Sequence, residues 1–465
     1  MSDLQRLVFE PDDERYLAEL GEYVAIASVS RDADRATMQR AAEWIAARID
    51  FADPQIVETG GHPAVVGSWL ERPGAPTVLV YGHYDVQPTG DLAEWLTPPF
   101  EMTRHTDEAT GEDRVRGRGA TDDKGPTYLA VETCRQFLAQ EGSLPLNVRF
   151  LFEGEEEIGS PHLASYVRAH PETLAADLVI SADGAMWRPD EPSLSVASKG
   201  LLGLDLEVTG ANRDLHSGRY GGTVANPLHA LAAIVASFHD AGGSVVVDGF
   251  RDGMVAPTEG ELAEIDAVRF DEEHYRADLD VPALVGEPGL STLARLWTQP
   301  TLEVNGVSGG GAYTVIPRVG SAHITCRLVP GQDPAAVAAA IRRHVEARTP
   351  PGVRMRLTQE DGPVPAYTIA ADHPANRAAR AALEVVYPGE EVLSARIGGT
   401  LPATTLFEDV LGAKTLFFSF AYADEWHHAP NEFMRVRRLR EGMRAWEVLL
   451  RLLADGEHRL EPSRG

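Results

Sequence analysis

Glu153-Gly154-Glu155-Glu156-Glu157-Ile158-Gly159-Ser160 follows Leu146, Val148, Phe150 and Phe152. That apolar alternation at period two reads as a strand. Four carboxylates at the exit of a buried strand repel one another and destabilise the fold unless a cation sits among them. A solvated acidic loop is the plainer alternative for such a run. Two other stretches share the same grammar. The apolar run 76–81 ends in Gly82-His83-Tyr84-Asp85, and Leu178-Val179-Ile180 ends in Ser181-Ala182-Asp183-Gly184. Three strand ends therefore deliver His, Asp and Glu, hard or borderline metal ligands. Sites in open α/β sheets form at the carboxyl ends of strands, so the chain reads as a metal enzyme.

The 465 residues are too many for one ordinary core and predict two domains. Lys+Arg 42 against Asp+Glu 70 gives a net charge of −28. Nucleic-acid phosphates and anionic lipid both demand basic surface, so both are excluded as partners. Cys134 and Cys326 sit in apolar patterns and read as buried thiols. The start, Met1 to Arg6, lacks the order of a signal peptide, and no apolar run reaches about 18 residues. No membrane span and a cytoplasmic location are the expectations.

Strands alternate with helices up to residue 198, which predicts a mostly parallel, covered sheet. Asp34 reads as an N-cap for a helix carrying Met38, Ala41, Ile45 and Ile49. Residues 86–114 read as irregular. Near 199 the pattern changes. Leu202, Leu204, Leu206 and Val208 alternate with polar residues or glycine, as do Ala322, Ile324, Cys326 and Leu328, which suits a sheet with one solvated face. Asn226-Pro227 and Asp333-Pro334 each open a helix. Leu228, Leu231, Val235 and Phe238 form a stripe on the first, open to a core or an interface role. From 367 the first grammar returns. The expected fold is α/β, with a discontinuous catalytic domain of 1–198 and 367–465 and an inserted α+β domain of 199–366.

A pair of divalent ions about 3.5–4 Å apart needs a bridging carboxylate and terminal ligands on each side. Candidates are His83, Asp122, Glu156 or Glu157, Asp183, and His427 or His428. Asp85, two residues beyond His83, reaches the same face, where a carboxylate commonly supports a metal-bound His.

Four motifs occur in order: Gly82-His83-x-Asp85-Val86-Gln87-Pro88, Gly117-Arg118-Gly119-x-x-Asp122-Asp123-Lys124-Gly125, Glu153-Gly154-x-Glu156-Glu157-x-Gly159-Ser160, and His428-x-x-Asn431-Glu432. From about residue 13 to 455 the chain resembles the metallopeptidase family of carnosinase, bacterial carboxypeptidase G, aminoacylase and succinyl-diaminopimelate desuccinylase. Asp214-Leu215-His216-Ser217-Gly218 with Gly221-Gly222 resembles its carnosinase-like dipeptidase branch.

The resemblance implies a two-metal hydrolase cleaving dipeptides or short peptides with a free C-terminal carboxylate. It makes Asp122 the bridging ligand, with His83 and Asp183 on one ion and Glu157 and His428 on the other. Glu156 becomes the general acid/base, with Asp85 in support. The ions would be two divalent metals per subunit, zinc first, manganese or cobalt next. A cis peptide is implied between Asp122 and Asp123. The inserted domain becomes a lid and dimerisation module. Arg327 within Thr325-Cys326-Arg327-Leu328 resembles the family's carboxylate-binding arginine. Gly398-Gly399-Thr400 resembles its Gly-rich loop, so Gly399 and Thr400 join the substrate-binding set, with Asn305 and Thr314. His216 would act in trans across a homodimer.

Gly306-Val307-Ser308-Gly309-Gly310 fits G-x-S-x-G. The next residues, Gly311-Ala312-Tyr313-Thr314-Val315-Ile316-Pro317, cannot open the helix that a serine-hydrolase elbow requires. An N-acyl-amino-acid deacylase or a carboxypeptidase is the alternative on the same metal site. A non-catalytic metal-binding scaffold is the alternative of another class, and the presence of Glu156 speaks against it.

Overall fold

The strand that ends in Glu153 is the third of a six-stranded sheet. In the computed structural model, which describes residues 12–189, 191–455 and 457–461, the strand order is Gln55–Val57, Ala64–Trp69, Asn147–Glu153, Thr77–His83, Leu178–Ser181, Lys414–Phe417. The last four run parallel, and the first two add an antiparallel edge. Register pairs His83 with Glu153 and Tyr81 with Ser181. The carboxyl ends of three parallel strands therefore finish side by side. Apolar residues cover one face, among them Leu79, Leu151, Val179, Tyr166 and Phe407, the last two from the Leu163–Ala169 and Pro402–Leu411 helices. The Lys124–Glu141 helix packs against the Thr77–His83 strand and the long Arg437–Ala454 helix against it in turn. Each fully buried side chain of this size contributes about 1.5–3 kcal/mol.

The Cα positions group into two compact units. One comprises residues up to Val196, Ile369–Ala395 and those from Pro402 onwards; the other comprises Ala197–Thr368 and Arg396–Leu401. The 396–401 stretch, read from sequence with the catalytic part, thus groups with the second unit. That unit holds an antiparallel sheet ordered Thr301–Ser308, Val319–Leu328, Gly200–Thr209, Arg354–Gln359. The Pro227–Ala236 and Pro334–Arg348 helices start at Asn226 and Asp333, whose side chains accept from Leu228 N and Ala335 N. Leu231 and Phe238 of the stripe lie in the core with Leu204, Ile324 and Ile341, and Val235 packs against it partly buried.

The stretch read as irregular contains two strands, Thr103–Thr106 and Asp113–Arg116, joined by Phe433–Arg435 in a small sheet. Its hairpin is tied by ion pairs, including Arg104–Asp113 at 2.6 Å and Arg114–Asp107 at 2.7 Å, which an apolar pattern does not announce. Asp34 does cap its helix, accepting from Thr37 N at 2.7 Å. Both cysteines are free and buried, and burial pushes both thiols up to about 12. No helix among the described residues is long and apolar enough to cross a membrane.

Candidate active site

His83 is the last residue of its strand and is fully buried. Its Nδ1 contacts the backbone O of Asp85 at 3.0 Å and Asp85 Oδ1 at 3.4 Å. That leaves Nε2 aimed into the site, 3.3 Å from Asp122 Oδ1 and 3.9 Å from Asp183 Oδ2. Nε2 is buried and makes no hydrogen bond of good geometry. On the other side of Asp122, His428 Nε2 lies 2.9 Å from Asp122 Oδ2 and 3.1 Å from Glu157 Oε2. Two ligand groups result, His83–Asp122–Asp183 and Asp122–Glu157–His428, each within 4.8 Å. They share Asp122, one oxygen facing each histidine. This donor set fits two divalent ions: nitrogen and oxygen ligands, a carboxylate placed to bridge, and an orphaned buried imidazole nitrogen.

The backbone is arranged to make this possible. The Asp122–Asp123 peptide is cis, as the sequence resemblance implies. A Cβ on Gly82 would overlap Thr127 Oγ1 and Asp123 Oδ2, and Asp123 Oδ2 accepts from His83 N at 3.2 Å and Thr127 Oγ1 at 2.7 Å. Asp85 uses both oxygens, accepting from Glu156 N at 3.2 Å and Glu157 N at 3.1 Å. It therefore fixes His83 and the acidic turn together. Trp426, His428 and Asn431 all have positive φ, at 59°, 61° and 66°. Non-glycine residues persist there only when their surroundings over-determine them, and such positions cluster at sites.

Electrostatics follow from packing acids at one place. Burial opposes ionisation of Asp122, but His428 and His83 outweigh it and hold that carboxyl well below the usual range. Burial also opposes charging of His83, yet its carboxylate neighbours raise the imidazole well above its ordinary value. Asp183 rises to about 6 through burial, and Glu153 to about 7 for the same reason. Glu156 is raised by burial and then by the charge of Asp183. Its carboxylate makes no hydrogen bond or ion pair among the described residues, whereas Glu157 accepts from Gln87 Nε2 at 3.0 Å. Glu153 is bonded to Tyr81 Oη at 2.6 Å and Ser160 Oγ at 2.9 Å, and Glu155 to His162 Nδ1 at 2.8 Å.

His427, the neighbour of His428, joins neither group. Sequence reasoning missed three residues that hold the site from outside. Glu432 accepts from Arg118 Nη1 at 2.6 Å and from the backbone N–H groups of Gly119, Thr121 and Asp122 at 3.0, 3.0 and 3.1 Å. Glu425 accepts from Thr121 Oγ1 at 2.6 Å and Arg435 Nη1 at 3.0 Å. The Asn431 amide accepts from Leu96 N and donates to Glu94 O, both at 2.7 Å. Only the -x-x-Asn431-Glu432 spacing hinted at two of them.

In the second unit, Arg327 Nη1 donates to Thr400 Oγ1 at 2.8 Å. Gly399 O accepts from Lys199 N at 3.1 Å. Asn305 Oδ1 accepts from Thr325 Oγ1 at 2.7 Å on the strand beside Arg327. Thr314 O accepts from Ser217 N and Oγ at 2.9 Å, which places Thr314 beside the exposed His216 and not with Arg327.

Residues 79–452 match the model of peptidase family M20/M25/M40. The chain is 30% identical to the human Beta-Ala-His dipeptidase, covering 85% of this chain and 79% of that protein. It is 31% identical to the Cys-Gly metallodipeptidase of Saccharomyces cerevisiae, covering 84% and 82%. Among solved structures it resembles the M20 family metallo-carboxypeptidase Sso-CP2 of Sulfolobus solfataricus, with a TM-score of 0.80 and 28% identity over 94% of this chain and 98% of that one. It also resembles human carnosine dipeptidase 1, with a TM-score of 0.74 and 27% identity over 95% and 96%. With the shared aspartate, the two histidines and the acidic turn in place, the chain belongs to peptidase family M20/M25/M40.

Proposed function

We propose that the protein is a dipeptidase that uses two divalent metal ions, and the observation that carries this is Asp122 shared between two ligand groups. His83 and Asp183 would hold one ion, Glu157 and His428 the other, and Asp122 both. Zinc suits the mixed nitrogen and oxygen set, with manganese or cobalt able to replace it. When bound, the pair supplies an activated water and positive charge against the developing oxyanion. Glu156 takes the proton of the attacking water and delivers it to the leaving amine, a task open to a carboxylate that is beside the site and has no other bond among the described residues. Asp85 positions His83 and the Glu156–Glu157 backbone.

Arg327, steadied by Thr400, reads the substrate's C-terminal carboxylate, with Gly399 and Asn305 beside it and a lesser part for Thr314. The 199–366 segment is the lid and dimerisation domain, the rest is catalytic, and His216 serves the partner's site in a homodimer. The relatives named as dipeptidases support a dipeptide substrate. The metallo-carboxypeptidase similarity supports a second reading, removal of the last residue from longer peptides. A cytoplasmic location is proposed from the sequence.

A release assay separates these. Free dipeptides should be cleaved faster than their amides, than N-acyl amino acids and than longer peptides. Chelation should abolish the activity and zinc, manganese or cobalt restore it. Full activity after exhaustive metal removal would overturn the proposal, and faster cleavage of longer peptides would favour the carboxypeptidase.

A further inference from the structure

The sheet of the second unit packs helices on one face and leaves the other open. On the open face, three side chains that the peptidase reading does not use converge. His323 stands directly opposite Asp205 in the antiparallel pair. Its Nδ1 lies 3.1 Å from Asp205 Oδ1 and 3.6 Å from Glu360 Oε1. Glu360 comes just after the Arg354–Gln359 strand, and its N–H donates to Gly203 O at 3.0 Å. Ligand atoms of all three fall within 4.8 Å of one another.

The glycine is informative. Gly203 and Asp205 are two apart on one strand and so share a face. A Cβ on Gly203 would overlap the Glu360 carboxylate. Absence of a side chain there is what lets Glu360 lie across the strand toward His323. An exposed ion pair alone contributes about 0–1 kcal/mol and needs no such cradle. Two carboxylates directed at one imidazole nitrogen, in a chain of net charge −28, present one nitrogen and two oxygen donors to a cation.

We infer that Asp205, His323 and Glu360 form a third divalent-metal site, able to take zinc on one nitrogen and two carboxylate ligands, with water in the remaining coordination positions. Three protein ligands plus water is the pattern of an open zinc site. The side chains are 62%, 39% and 47% exposed, so the ion exchanges with solvent. The site shares no residue with the two groups around Asp122.

Equilibrium dialysis of the intact protein against micromolar zinc, with bound zinc counted by plasma mass spectrometry, tests this. Wild type should hold one more zinc per chain than His323→Ala. Asp205→Asn, nearly isosteric, should lose the same ion and guards against a folding defect in the first variant. Gly203→Ala keeps all three ligands and displaces only the flexible end of Glu360. It should weaken this zinc by about 10–100-fold, as disturbing ligand orientation does elsewhere. Equal zinc counts in wild type and Asp205→Asn would overturn the inference, as would unchanged affinity in Gly203→Ala.

Discussion

The backbone N–H of Asp122 donates to Glu432 Oε1 at 3.1 Å, joining residues 310 apart in the chain. The same carboxylate holds Gly119, Thr121 and the buried Arg118. Glu432 therefore fixes the loop that presents the shared ligand, without facing the ligand groups itself. Glu432→Gln should weaken metal binding by about 10–100-fold. It should also destabilise the fold by roughly 3–5 kcal/mol, because Arg118 is left buried without its counter-charge. Chelator competition and denaturant unfolding measure the two effects. Wild-type metal affinity in a folded Glu432→Gln protein would show that the carboxylate does not position Asp122.

His83 and Asp183 were legible because an apolar run that ends in a ligand-type residue needs only local pattern to be read. His428 was told from His427 only by the resemblance of His428-x-x-Asn431-Glu432 to the family motif. Glu432, Glu425 and Asn431 were not legible, since the groups they hold in the 94–121 region lie more than 300 residues away. The Thr103–Thr106 hairpin was missed because ion pairs, not alternating apolar residues, tie it. The cluster at Glu360 depends on a cross-strand register that no single stretch reveals. Local chemistry was readable; long-range hydrogen bonding was not.

Glu156 and Glu157 are neighbours with different surroundings. Glu157 contacts His428 and Gln87, whereas Glu156 has no partner for its carboxylate among the described residues. Glu156→Gln should keep both metals and lower kcat by about 10²–10⁴ or more. Glu157→Gln should lose metal as well as rate. Metal analysis beside single-turnover kinetics distinguishes them, and the reverse pattern would exchange the two roles.

Lys199 gives a pH signature away from the metal ligands. Its ammonium is buried with Gln299 O as acceptor at 2.7 Å. Burial, and then repulsion from Arg327, lowers it from 10.5 to about 8. Between those values the unfolded chain binds the proton that the folded chain has lost, so stability rises with pH across that window. The span amounts to on the order of 3 kcal/mol at about 1.4 kcal/mol per unit. Lys199→Met removes the titration. The stability of wild type relative to this variant should climb from pH 8 to 10.5 and stay level below 8. A flat difference across that window in urea unfolding would show that the amine titrates normally.

His216 is exposed, and its Nδ1 accepts from Gly218 N at 3.1 Å. In the neutral ring the proton then resides on Nε2, which makes no other bond among the described residues. The ring is thus a preorganised donor on a turn, offered outward from its own chain. If it serves the partner's site, it can stabilise the oxyanion of the tetrahedral intermediate. Loss of one such donor costs about 10²–10³ in kcat. His216→Ala and Glu156→Gln should each be nearly inactive alone. In mixed dimers one site combines the intact Glu156 of one chain with the intact His216 of the other, and the second site lacks both. Random exchange makes half the dimers mixed, so roughly a quarter of wild-type activity should return. Exchange is verified with differently tagged chains. No recovery once mixed dimers are present would place His216 in its own chain's site or outside catalysis.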